Sequence, residues 1–215
     1  AVRAWRTMLV AAGTALAFLG ASLLAFGWAA LPAWLDSLQV ARVATETGAL
    51  PWAKMPSTFA LLRLLGTPVP WAYAGHAIIA IAAAVAVWVV WRRTDALPLR
   101  GAVLMAATFL ANPYAFDYDL VWLAFPIAWL AVYGLENGWR RGDREVLVAA
   151  WLLPALATAL ASLTRVQVAP LVLAALVWVA VRRVVPGRGL PGWLAGVSAP
   201  SGPPARARRR SSPPA

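Results

Sequence analysis

Apolar residues in this chain arrive in blocks too long for the interior of a small soluble domain, and that feature limits the fold more than any other. Met8 to Leu31 and Ala72 to Trp91 each carry at most one or two polar side chains. At ~1.5 Å rise per residue, about 20 apolar residues cross a ~30 Å hydrocarbon core, and these blocks are that long. A helix satisfies its own backbone hydrogen bonds inside lipid, whereas a barrel would need period-two alternation, which the blocks lack. The expected fold class is therefore all-α, a polytopic transmembrane helix bundle. The 62% hydrophobic content, well above the usual half, agrees with it.

Six spans are expected, at Thr7 to Ala30, Pro70 to Trp91, Leu99 to Asn112, Leu120 to Tyr133, Val146 to Leu163 and Val168 to Val181. The first is too long for the apolar core of a signal peptide and lacks a small-residue cleavage site, so it reads as a retained helix. The third and fourth are short and run toward the segment that joins them, Pro113 to Asp119. Pro126 and Pro154 are candidates to bend their helices. Many of the 13 Trp, including Trp34, Trp52, Trp71, Trp91 and Trp139, stand near block ends, where the headgroup zone favours them.

A net charge of +11 raises nucleic acid as a partner, but the basic residues gather where the hydrophobic blocks stop rather than over a folded face. They act as topology signals. With the N-terminus inside, only Arg42, Lys54, Arg63 and Arg165 of the 19 basic residues face outward, a bias that expects both termini in the cytoplasm of a multi-pass cell-membrane protein. Two regions follow: a transmembrane helical region over 1–185, and a Pro- and Arg-rich basic tail over 186–215 that cannot bury a core and is expected to be disordered. Zero Cys removes disulfides and thiolate metal sites. No cofactor or metal is expected.

The longest outward segment, Trp34 to Val69, contains a short helix signal in which Ser57 is a suitable N-cap and Gly66 a suitable C′ residue. With Phe59, Leu61, Leu62, Leu64 and Leu65 around Arg63, this helix suits the interface or the protein interior. Pro68 and Pro70 then restart the chain into the second span.

The residues that could carry chemistry lie toward this outer side. Asn112-Pro113-Tyr114-Ala115-Phe116-Asp117-Tyr118-Asp119 gathers two carboxylates, two phenols and an amide at the ends of two spans. Carboxylates kept near hydrocarbon usually mark function. Equally, Asp117 suits a cap of the fourth span and Asp119 its first turn, where the helix dipole favours an anion. Two residues apart, they do not share a helix face, so if the fourth span begins at Asp117 only one looks into a cavity, in a substrate site expected to be shared with Lys54, while the other caps or is solvated. Lys54, between Trp52 and the Pro56 turn, is the most constrained outer cation and a candidate partner for a phosphate, with Arg42 and Arg63 as loop charges beside it. His76 stands near the outer end of the second span, where a helix-to-helix hydrogen bond competes with a substrate role. No Gly-rich phosphate loop, metalloprotease helix or hydrolase triad is present.

Lys54-Met55-Pro56-Ser57 with the helix that follows, the span ending in Trp91-Arg92-Arg93, and Ala111-Asn112-Pro113-Tyr114 running into Asp117-Tyr118-Asp119-Leu120 together resemble glycosyltransferase family 87, in its C-terminal portion, over roughly Ala1 to Arg183. Members are integral membrane enzymes of the GT-C superfamily. The resemblance implies hexosyl transfer, often of mannose, from a polyprenyl-phosphate-linked sugar donor to a lipid or glycan acceptor on the extracytoplasmic face of the bilayer. Asp117, Asp119, Lys54, Tyr118, Asn112 and His76 are then the substrate-binding candidates. The resemblance also implies more spans than six and an acidic general base in the first outer loop. The catalytic residue is expected in a preceding segment, and the start without Met is read as that of an N-terminally truncated fragment. The competing readings are a transporter or flippase subunit, which places ionisable groups at mid-membrane, and a structural membrane partner, whose outer polar groups would be scattered and satisfied locally.

Overall fold

The computed structural model describes residues 5–185, and within them regular structure is helical throughout. The basic tail expected over 186–215, and Arg3, lie outside the described residues. Eight α-helices follow in order: α1 Trp5–Phe26, α2 Ala30–Thr47, α3 Thr58–Leu64, α4 Val69–Arg93, α5 Leu97–Ala111, α6 Ala124–Asn137, α7 Asp143–Thr164 and α8 Ala169–Val184. Short 3-10 helices at Trp52–Lys54 and Asp117–Leu123 lead into α3 and α6. Each of the six expected apolar segments is helical. Four stretches, Trp5–Phe26, Val69–Arg93, Asp117–Asn137 and Asp143–Thr164, are long and apolar enough to cross a membrane, and α5 is a shorter apolar helix.

Three expectations need correction. The first span was placed as far as Ala30, but α1 stops at Phe26 because Gly27 turns the chain with a positive φ of 79°. Much of the presumed outer loop is α2, an 18-residue helix. Its Asp36, Gln39, Arg42 and Glu46 break the apolar run, yet Leu31, Leu35, Leu38 and Thr45 recur at helical spacing. Its leucines are exposed, as on a helix lying along an interface, whereas Thr45 is buried. Pro126 does not bend α6 from within, since α6 begins at Ala124 and the proline falls in the first turn, where no N–H partner is lost. Pro154 does lie inside α7.

The bundle forms around α5. Its Leu99, Ala102, Val103, Ala106 and Leu110 are buried against α4, α6 and α8, and Leu173, Leu176 and Ala180 of α8 complete the core. Close approach depends on missing side chains: a Cβ on Gly101 would stand 2.8 Å from the Trp129 ring. The turns between α4, α5, α6, α7 and α8 are short, so successive helices alternate in direction and the loops collect at two ends. α1, in contrast, buries none of its residues in this chain.

One end is held by a charge cluster. Asp143, 1% exposed, pairs with both Arg182 and Arg183 at the close of α8 and accepts the Arg140 N–H at 2.8 Å. Arg183 also donates to the Gly138 carbonyl at 2.9 Å, and Arg182 to the Arg141 carbonyl at 3.0 Å. The α6–α7 turn and the end of α8 are thereby tied together. Arg92, Arg93 and Arg100 belong to the same end, while Lys54, Arg63 and Arg165 stand at the other.

Candidate functional site

The opposite end is built where α5 hands over to α6. α5 stops at Ala111, and the Asn112 side-chain oxygen accepts the Tyr114 N–H at 2.9 Å, an Asx turn that spends Asn112 on local geometry. The 3-10 helix that follows distinguishes the two carboxylates. Asp119 accepts the Phe116 N–H at 2.9 Å and so caps the helix start. Asp117 accepts the Tyr118 N–H at 3.0 Å and, across to α7, the Thr158 hydroxyl at 3.1 Å. With Tyr118, Val121 and Pro154 it lines an open hollow of about 370 Å³. Asp117 faces the cavity and Asp119 is the cap.

Lys54 rides on a clamped loop. The Trp52 indole donates to the Thr45 carbonyl at 2.7 Å, the Gln167 amide donates to the Ala53 carbonyl at 2.9 Å, and the Arg63 guanidinium lies 4.6 Å from the Trp52 ring centre. Ser57 caps α3 by accepting the Ala60 N–H, and Gly66 ends it with a φ of 84°, as the sequence indicated. These anchors fix the backbone while the Lys54 side chain stays exposed, without a hydrogen-bond or ion-pair partner among the described residues. Beside it, Trp52, Ala53, Arg63, Ser162 and Arg165 line a second hollow of about 370 Å³.

α7 connects these features. Ala150, Trp151 and Pro154 border an apolar hollow of about 230 Å³ shared with Leu120, Leu123 and Ile127. Pro154 and Thr158 meet Asp117, and Ala161, Ser162 and Arg165 border the cationic hollow. Residues 150, 151, 154, 158, 161, 162 and 165 recur at three- and four-residue steps and form one helix face. Along that face the surface passes from apolar to anionic to cationic toward the C-terminal end of α7.

The remaining candidates separate. His76 is buried, and its Nε2 lies 3.2 Å from the Ala111 carbonyl, tying α4 to the end of α5; it borders none of these three hollows. Tyr118 shares the hollow with Asp117. Lys54 lines none of these hollows and is not brought together with Asp117, their loops meeting α7 about one turn apart. Sequence reasoning missed Thr158, Ser162 and Arg165, whose helical spacing along α7 was the available signal. It also missed Glu46, which pairs with Arg42 at 2.7 Å while its main-chain carbonyl accepts from Arg63 at 3.2 Å. The Arg42 contact holds the Glu46 carboxyl below the usual carboxylate range. Nearby, the Tyr73 and Tyr114 hydroxyls stand 3.4 Å apart. Among the described residues no three His, Asp or Glu side chains converge as metal ligands would.

The family model of glycosyltransferase family 87 matches residues 1–113, a little over half of the chain. The match takes in α1 to α5 and ends at Pro113, short of Asp117, so it covers less than the expected reach to Arg183. No curated protein and no solved structure matches the chain.

Proposed function

Since the chain belongs to glycosyltransferase family 87 and is a membrane glycosyltransferase, we propose that it moves a hexosyl unit from a polyprenyl-phosphate-linked donor to a lipid or glycan acceptor at the extracytoplasmic face of the cell membrane. The observation that carries this reading is the α7 face, on which an apolar hollow, a carboxylate and a cationic hollow follow one another toward one end of the bundle. Transporter sites usually lie at mid-span between broken helices. Here Asp117, Arg63 and Arg165 line hollows toward one end of the bundle instead.

Glycosyl transfer from a phosphate donor requires three things of its site. The acceptor hydroxyl oxygen bonds to the anomeric carbon as that carbon's bond to the phosphate oxygen breaks, the hydroxyl proton passes to a base, and the phosphate leaves with the bonding pair. Cations fixed near the departing phosphate stabilise the charge that develops on it. Lys54, Arg63 and Arg165 supply that environment, Lys54 on a backbone clamped by Trp52 and Gln167. Asp117, already hydrogen-bonded on both oxygens, keeps lone pairs free to orient substrate hydroxyls. The basic bias of the opposite end supports an outer position for this site, under the positive-inside rule. The test is transfer in proteoliposomes supplied with polyprenyl-phosphate hexose: Asp117→Asn and Lys54→Ala should each lose most transfer at unchanged protein abundance. Wild-type rates in both would remove this site from the reaction.

A further inference from the structure

The charge order along α7 does not suit one ligand, and it separates two. In a lipid-phosphate-sugar donor the phosphate follows directly on the apolar chain. Along α7 the group that follows the apolar hollow is the Asp117 carboxylate, and the cations come one turn later. A phosphate held at the mouth of the apolar groove would face a like charge.

We propose that the groove between α6 and α7 binds the acceptor, and that this acceptor is a lipid with an uncharged, hydroxyl-bearing headgroup. Its apolar chain lies along Leu123, Ile127, Ala150 and Trp151, and its headgroup hydroxyls meet Asp117 and Tyr118. The assignment rests on the transferase reading given above. The apolar and carboxylate-bearing hollows share Val121 and Pro154, so they adjoin each other. Pro154 has no N–H to offer the Ala150 carbonyl one turn below it, which loosens α7 along the groove wall. The rim residues Val121, Tyr118 and Trp151 are 66%, 70% and 71% exposed, so the groove opens sideways, where a lipid would enter from the bilayer. Asp117 has one protein donor on each oxygen, and an ionised carboxylate offers about four lone-pair sites, so it can still accept from two hydroxyls. The donor phosphate is left to the cationic hollow of Arg63 and Arg165 beside Lys54.

Photolabelling tests this in the full chain reconstituted in nanodiscs. The probes are a glycosyl diacylglycerol and a polyprenyl phosphate, each with a diazirine in its apolar chain, with labelled peptides read by mass spectrometry. The glycosyl lipid should label the Val121 and Trp151 peptides several-fold more than the polyprenyl phosphate. Asp117→Asn should abolish that preference, while Asp119→Asn, which alters the cap, should keep it and so controls for folding. Equal or stronger labelling by the polyprenyl phosphate would assign the groove to the donor chain and overturn the proposal. Labelling that no headgroup or variant changes would reduce the groove to ordinary lipid contact, which also overturns it. A preference that stands while the protein transfers no sugar would defeat the transferase reading and leave the lipid site in place.

Discussion

The two ends of this bundle hold the same kinds of charged groups and treat them in opposite ways. At the α6–α7 turn the Asp143 carboxylate is buried and takes two arginines and a backbone N–H, and those arginines in turn cap exposed carbonyls. At the other end Lys54 is exposed and without a partner among the described residues, and Asp117 looks into a hollow. A charge removed from water must be paired within the protein. A charge on a fixed backbone that is left facing an open hollow is instead available to a ligand. The Asp143 cluster thus reads as a clasp and the Asp117 end as a site, although the basic residues are more numerous at the clasp.

The sharpest way to break this comparison is to open the clasp. Asp143→Ala leaves Arg182 and Arg183 largely buried without their carboxylate and should cost about 3–5 kcal/mol, visible as a large fall in Tm in detergent. At the outer end Asp117→Asn should leave Tm near wild type and lower transfer by about a hundredfold, the scale of one lost preorganised polar contact. Lys54→Ala should raise the donor KM by about tenfold, with a weaker salt dependence than wild type, because it removes an exposed cation rather than a structural one. Asp119→Ala should be smallest for function, costing about 1 kcal/mol of stability through its lost cap while transfer persists. If Asp117→Asn behaved like Asp143→Ala, losing stability first, both ends would be clasps.

How much of this was legible beforehand depends on the range of the interaction. Local signals held: the Ser57 cap, the Gly66 stop and the apolar segments follow from residues within a turn of one another. The division of labour between Asp117 and Asp119 was foreseeable as a rule, but which residue did which was not. That outcome turns on Thr158, 41 residues away. Asp143 was passed over for the same reason, since its partners Arg182 and Arg183 lie 39 and 40 residues further on. α2 was hidden by a different cause. Asp36, Gln39, Arg42 and Glu46 interrupt its apolar run, while its helical period survives beneath. Asn112 and His76 looked like site residues by type, yet one forms an Asx turn and the other ties α4 to a carbonyl of α5.

The central claim, that the outer end is the reacting end, can be tested by placing one thiol at each end of a chain that has no Cys of its own. Ser162→Cys sits in the cationic hollow, and Asp95→Cys replaces an exposed residue of the α4–α5 turn at the opposite end. Each variant is reconstituted in right-side-out vesicles, treated with a membrane-impermeant thiol reagent, and assayed for transfer from polyprenyl-phosphate hexose. The account expects Ser162→Cys to be labelled from outside with loss of transfer, and Asp95→Cys to be labelled only after permeabilisation with transfer intact. Outside labelling of Asp95→Cys, or undiminished transfer after Ser162→Cys is fully modified, would contradict it.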